Sequence, residues 1–288
     1  MPTARQNLGV VAADGRIYAI GGTNETASTA YSTVEAYDPT SNTWSTVAPL
    51  PIAVYAMGGA ATADGKIYVA GGIVGAGGVG WTAALQIYDT ATNKWTLGAS
   101  LPGGISSQAL VAASNGLIYN IDGWLGGPIS SVYAYDPKTN TWSSRASDPV
   151  TRSNIAAVQS SDGLIYVVGG LQGVNYPNLA TVEAYDPATD TWTTRASMLT
   201  PSSHLAAVAA GGRVWALGGN NDNASTCLDA VEAYDPLTNR WVAETSLPVA
   251  MCNDGAAQPS GEPMYVMGAS ATSFQASNYE GTLGPGGD

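Results

Sequence analysis

Residues 34–44 read Val-Glu-Ala-Tyr-Asp-Pro-Thr-Ser-Asn-Thr-Trp, and residues 182–192 read Val-Glu-Ala-Tyr-Asp-Pro-Ala-Thr-Asp-Thr-Trp. A Tyr-Asp pair with a Trp seven residues after the Tyr recurs at Tyr37/Trp44, Tyr88/Trp95, Tyr135/Trp142, Tyr185/Trp192 and Tyr234/Trp241. Five identical spacings mark an internal repeat, which has to be recognised before any other feature is weighed. Within one unit, residues 33–37 alternate polar and apolar side chains, as a half-buried strand does. Asp38-Pro39-Thr40-Ser41-Asn42 is a turn: the Asp carboxylate reaches a backbone N–H two residues on, and Pro presets φ. Trp44 then opens a further strand at the rim.

Upstream of each such segment, Gly-Gly follows an apolar run at Gly21-Gly22, Gly71-Gly72, Gly169-Gly170 and Gly218-Gly219, with variants Asp122-Gly123 and Gly268-Ala269. The spacings are 50, 51, 47, 49 and 50 residues. Tyr18, Tyr68, Tyr119, Tyr166, Trp215 and Tyr265 precede these pairs, and Tyr279-Glu280 stands where a sixth Tyr-Asp is expected. Residues 7–13 are nearly all small or apolar, which suits a strand buried on both faces. Asp14-Gly15 closes it in a hairpin turn, and 16–20 forms the second strand.

Gly-Gly, Tyr-Asp-Pro and Trp at this period resemble the Kelch repeat of the galactose oxidase-like superfamily, over essentially the whole chain. The resemblance implies an all-β, six-bladed β-propeller of four-stranded blades, the sixth four-stranded or, because no Trp strand follows Tyr279, three-stranded. The chain is then one domain, residues 1–288, with units at 1–49, 50–100, 101–148, 149–199, 200–247 and 248–288. It also implies that the Tyr and Trp of each unit pack between blades and carry no chemistry. The final unit points to flanking segments of a longer chain.

Composition limits the functions. Charged residues make up 11% and the net charge is −12, with ten Lys and Arg in all. That is too little positive charge for a nucleic-acid face. No apolar run reaches the 18 residues of a membrane span. Two cysteines, Cys227 and Cys252, cannot build a Cys-rich metal site; they form one disulfide or stay free. Asn220-Asn221-Asp222-Asn223 is rich in oxygen but lacks the spacing of a calcium loop. No cofactor or metal is expected, and the chain is expected to be a monomer. Few Lys and many Ala, Gly, Ser and Thr suggest a secreted bacterial protein. The triplets at Asn24 and Asn223 accept glycans only in a eukaryotic secretory route.

In the resembling family, ligands bind where the inner strands begin and on the loops after Gly-Gly. Counting back from the aromatic anchors gives a ring of Asn7, Met57, Gln108, Asn154, His204 and Asp254, polar in five places, as a wet channel mouth would be. The loops add Trp81, Trp124, Tyr176, Asn221 and Asp222. Aromatic rings beside amides and acids suit a sugar or a peptide. The expected ligand contacts are Arg5, Asn7, Trp81, Gln108, Trp124, Asn154, Tyr176, Asn221, Asp222 and Asn253. The first expectation is therefore a module that binds carbohydrate or peptide. An alternative is a lyase or a mutarotase-like isomerase with His204 as acid/base, assisted by Asp254 and Arg152. A third is a scaffold domain. One histidine is too few for a copper-radical oxidase of this fold, and whether any reaction is catalysed stays open.

Overall fold

The structure is a computed structural model that describes residues 1–24, 29–75, 77, 80–173, 177–221, 226–259, 263–270 and 273–281; for 253, 254 and 268 onward the description is of backbone only. Blade 1 consists of Gly9–Ala13, Arg16–Ile20, Val34–Asp38 and Thr43–Thr46, hydrogen-bonded in that order as an antiparallel sheet. Blades 2 to 5 repeat it from Gly58–Ala61, Ala109–Ala112, Ala156–Gln159 and Ala206–Ala210 outward. The inner strands pack against one another around a central channel walled largely by Gly and Ala.

The expectation of a six-bladed propeller is corrected: among the described residues five four-stranded blades are present. The last unit is a three-stranded sheet of Met251–Ala257, Met264–Ser270 and Ser273–Gly281, whose first strand packs between those of blades 5 and 1. Its register also differs from the sequence reading. In blade 1, Tyr37 stands opposite Ile17, one residue before the anchor Tyr18; opposite Met264, one residue before Tyr265, stands Gly281 and not Tyr279. Tyr279 therefore occupies the column of Glu35, and the Tyr-Asp-Pro turn that launches a fourth strand is missing from this unit.

The turns behave as their chemistry requires. Asp14 and Gly15 both take positive φ, 48° and 72°, in the blade 1 hairpin. Asp38, Asp136, Asp186 and Asp235 each accept a backbone N–H from two residues on, at 2.8–2.9 Å. Each turn ends on Asn42, Asn93, Asn140, Asp190 or Asn239 at φ between 51° and 57°, a left-handed conformation that Asn and Asp tolerate.

Between blades the aromatic residues meet in pairs. Tyr18 meets Tyr88, Tyr68 meets Tyr135, Tyr119 meets Tyr185, Tyr166 meets Tyr234, and Tyr265 of the three-stranded sheet meets Tyr37, with centroids 5.4–6.1 Å apart. One alanine fixes the rim of four of these contacts. Ala99 donates its N–H to Asn140 Oδ1 at 2.7 Å and accepts the Trp142 indole N–H at 2.8 Å. Ala48 is held in the same way by Asn93 and Trp95, Ala146 by Asp190 and Trp192, and Ala196 by Asn239 and Trp241. Both polar groups of one residue are thus satisfied by the next blade at the exposed rim. Cys227, on the loop of blade 5, is disulfide-bonded to Cys252 on the three-stranded sheet.

Candidate functional site at the channel mouth

Asn7, Ala56, Ser107, Asn154 and His204 hold one equivalent position at the start of the inner strands, all with φ between 51° and 57°. Their main chains are tied in series. Ala56 N–H donates to Asn7 O, Ser107 to Ala56, Asn154 to Ser107 and His204 to Asn154, at 2.8–2.9 Å. This backbone belt surrounds a hollow of about 100 Å³ lined by these five residues and by Leu8, Met57, Gln108, Ile155 and Leu205.

The ring predicted from sequence is therefore displaced in two blades. Met57 and Gln108 belong to the second column, with Leu8, Ile155 and Leu205. The cause is hairpin length. Blades 1 and 5 join their inner strands with two residues between Ala13 and Arg16 and between Ala210 and Arg213, whereas Thr62–Lys66, Ala113–Leu117 and Ser160–Leu164 close three-residue turns. A count of eleven back from the anchor misplaces the ring in blades 2 and 3, whose turns are one residue longer; in blade 4 the same long turn is met by a count of twelve from Tyr166, so Asn154 falls in place. The Asp-Gly and Asn-Gly positions in the sequence carried that signal. Gln108 is buried, with Nε2 donating to Ala70 O at 2.7 Å.

His204 is half-buried in the mouth. Its Nδ1 lies 3.1 Å from Ser203 Oγ and 3.3 Å from Asn220 Nδ2, while Ser203 Oγ–H donates to Asn220 Oδ1 at 3.0 Å. With the Ser hydroxyl donating to Asn220, Nδ1 is the acceptor of the Asn220 amide, and the ring N–H sits on Nε2. Desolvation in the crowded mouth lowers its pKa to about 4. At neutral pH it is an uncharged imidazole, which presents a hydrogen-bond donor rather than a strong base. Asp254, its expected partner, has a side chain outside the described residues, as does Asn253; Tyr176 and Asp222 lie outside them entirely.

Both arginines singled out from the sequence are inside blades, away from the mouth. Arg5 is buried, donating Nη1 to Glu35 Oε2 at 2.6 Å and to Thr3 O, and Nη2 to Ala19 O. Arg152 is buried as well; Nε and Nη2 donate to Asp148 Oδ2, and Nη1 donates to Gly169 O and Thr181 O. Each guanidinium holds the incoming link of its own blade. Asp122, standing where the other blades have the first glycine of the pair, is buried beside Arg152.

The loops after Gly-Gly place Trp81 and Trp124 on either side of one segment. Ile105 N–H donates to Thr82 O, and Ser106 exchanges both backbone bonds with Trp124. Gly104 passes so close to Trp81 that an added Cβ would come within 2.6 Å of its carbonyl oxygen. Trp81 is 41% exposed and Leu125, next to half-buried Trp124, is 50% exposed. Asn7 and Asn154 are half-buried at the mouth, and Asn221 is exposed. None of the ten Lys and Arg lies on a loop following a Gly-Gly pair, and Arg5 and Arg152 are the two at inner-strand starts. Among the described residues no group of three or more His, Cys, Asp and Glu is arranged to hold a metal ion.

A family model described as the Attractin/LZTR1 beta-propeller matches residues 17–276. Among curated proteins, mouse Kelch-like protein 36 is 34% identical over 120 residues, 40% of this chain and 19% of its own length. Mouse Kelch-like protein 35 is 39% identical over 93 residues, 32% of this chain and 15% of its own. Kelch-like protein terF of Aspergillus terreus is 32% identical over 118 residues, 38% of this chain and 26% of its own. The matches thus span about a quarter or less of these relatives. The solved structure of YjhT superposes with a TM-score of 0.80 at 15% identity, covering 98% of this chain and 94% of that one, which is a likeness of fold.

Proposed function

The chain belongs to the Attractin/LZTR1 β-propeller family, a Kelch-repeat propeller, and on that footing we propose that it is a protein-interaction module whose mouth face takes an uncharged or basic peptide segment. One observation carries this reading: Trp81 and Leu125 are exposed on neighbouring loops that pack against the Gly104–Ser106 segment leading to the mouth residue Ser107, and the loops after the Gly-Gly pairs hold no Lys or Arg. Exposed aromatic and aliphatic side chains beside polar groups are what an interface anchor looks like. An acidic ligand finds no cation there, because Arg5 and Arg152 are spent on Glu35 and Asp148.

A peptide-array screen with the purified chain tests this. Binders enriched in neutral or Lys/Arg-containing sequences, weakened at least about tenfold by Trp81→Ala or Leu125→Asp, support it. Binding that survives both substitutions overturns it. A sugar is the second reading, favoured by Asn7, Ser107, Asn154 and His204 converging on one small hollow. A glycan array whose signal is lost in Asn154→Ala but retained in Leu125→Asp would select it.

A further inference from the structure

The interface between blades 2 and 3 departs from the others at three positions that meet. The residue before the Gly-Gly pair or its variant is Ile20, Ile121, Val168 and Leu217 in the other four-stranded blades, but Ala70 in blade 2. Opposite it, blade 3 carries an amide in each of two otherwise apolar columns. Gln108 stands where the other blades have Leu8, Met57, Ile155 and Leu205. Asn120 stands where they have Ala19, Val69, Val167 and Ala216. Asn120 pairs with Leu110 on the inner strand, and Gln108 lies two residues before Leu110 on the same face. The two amides are therefore diagonal neighbours, with Cβ atoms about 7 Å apart. That face looks onto blade 2: Leu110 and Ile118 pack there with Ala70, Leu85, Leu101 and Ile105.

Both amides are buried, Asn120 completely and Gln108 to within 5% of its surface. Gln108 spends Nε2 on Ala70 O at 2.7 Å. Its Oε1, and both Oδ1 and Nδ2 of Asn120, meet no hydrogen-bond partner among the described residues. A buried amide left unpaired forfeits its hydration, so native interiors pair such groups with protein or with ordered water. Here one side chain offers a donor and its neighbour an acceptor, in an interface where no other polar side chain reaches them. Water can accept from the first and donate to the second. We propose that the interface between blades 2 and 3 holds a buried hydration site, in which a water molecule accepts Asn120 Nδ2–H and donates to Gln108 Oε1. Ala70 supplies the room, since Ile20, Ile121 and Val168 turn larger side chains to the next blade at this position. The site lies directly beneath the mouth, because Gln108 also lines the hollow there. It does not depend on what the mouth binds.

A crystal structure of the full chain, at a resolution that shows ordered solvent, is the direct test and needs no variant. The expected result is solvent density about 2.7–3.2 Å from both Asn120 Nδ2 and Gln108 Oε1. In solution, the chain labelled with ¹⁵N in its Asn and Gln side chains should show cross-relaxation between the Asn120 amide and a long-lived water. That signal should be lost in Gln108→Met, which removes the acceptor, and in Ala70→Ile, which fills the room. Asn120→Val combined with Gln108→Met places there the residue types of Val69 and Met57, and should melt higher than either single variant, because donor and acceptor leave together. Absence of solvent between the two amides overturns the proposal. A water signal that survives both Gln108→Met and Ala70→Ile overturns it as well.

Discussion

Oδ2 of Asp122 lies 3.4 Å from Nε of Arg152, and both side chains are wholly buried between blades 3 and 4. The same guanidinium is already bound by Asp148 at 2.8 Å, so two carboxylates share one cation. Burial first, and then repulsion from Asp148, raise the Asp122 pKa well above the ordinary carboxylate value, against the pull of Arg152. An acid whose pKa is raised by folding favours the folded state below its unfolded value and loses that advantage as pH rises through the folded one. Asp122→Asn keeps the left-handed backbone and removes the titration. It should be more stable than the parent by about 1–3 kcal/mol at pH 8 and nearly equal to it at pH 3, measured by urea unfolding. Equal stabilities at both pH values would show that Asp122 does not titrate in this way.

His204 gives the opposite slope. Its pKa is lowered by folding, from 6.5 to about 4, so the unfolded chain takes up a proton first. Stability should therefore fall as pH drops from about 6.5 towards 4. The ring is half-exposed, so the loss is on the order of 1 kcal/mol, or about 2–4 °C in Tm. His204→Asn, which places here the residue found at positions 7 and 154, should remove this dependence and change little at pH 7. A melting series over pH 4–7 checks it.

Asn140 and Asn42 have the same backbone and the same tyrosine, but only Asn140 holds a neighbouring peptide. Asn140→Ala should cost about 1–2 kcal/mol, since it removes the rim hydrogen bond to Ala99 N–H and strains a left-handed residue. Asn42→Ala should cost about 1 kcal/mol less. Chemical denaturation of the two variants side by side measures the difference, and equal losses would mean that the peptide contact contributes nothing.

The Cys227–Cys252 bond spans 25 residues and joins blade 5 to the three-stranded sheet. Opening it should lower stability by about 3 kcal/mol. The effect should be local: hydrogen exchange in Met251–Ala257 should quicken on reduction, while Val34–Asp38 keeps its protection. Uniform acceleration would argue that the sheet opens only with the whole propeller.

The turn and seam chemistry was legible because it is local. Asp-Pro, the left-handed Asn and the Trp seven residues after the Tyr each leave a fixed spacing in the chain. The ring was half legible, because its position depends on the hairpin opposite it, and one extra residue in that hairpin turns Ser107 into Gln108. The burial of Arg5 and Arg152 was not legible: their partners Glu35, Asp148 and Asp122 are separated from them by amounts no motif encodes. In the last unit Tyr279 imitates the repeat in sequence, yet strand pairing sets it two residues off the aromatic column.

The belt at the mouth joins blades through peptide groups alone, and five different environments already accommodate Asn, Ala, Ser, Asn and His there. The side chains at 7, 56, 107, 154 and 204 are therefore exchangeable parts on a fixed backbone arc. A combinatorial library confined to these five positions, drawn from small residues without β-branching, should yield folded proteins at high frequency. The geometry of the rim would stay constant while its hydrogen-bonding pattern is rewritten, so selectivity and foldability can be tuned one without the other.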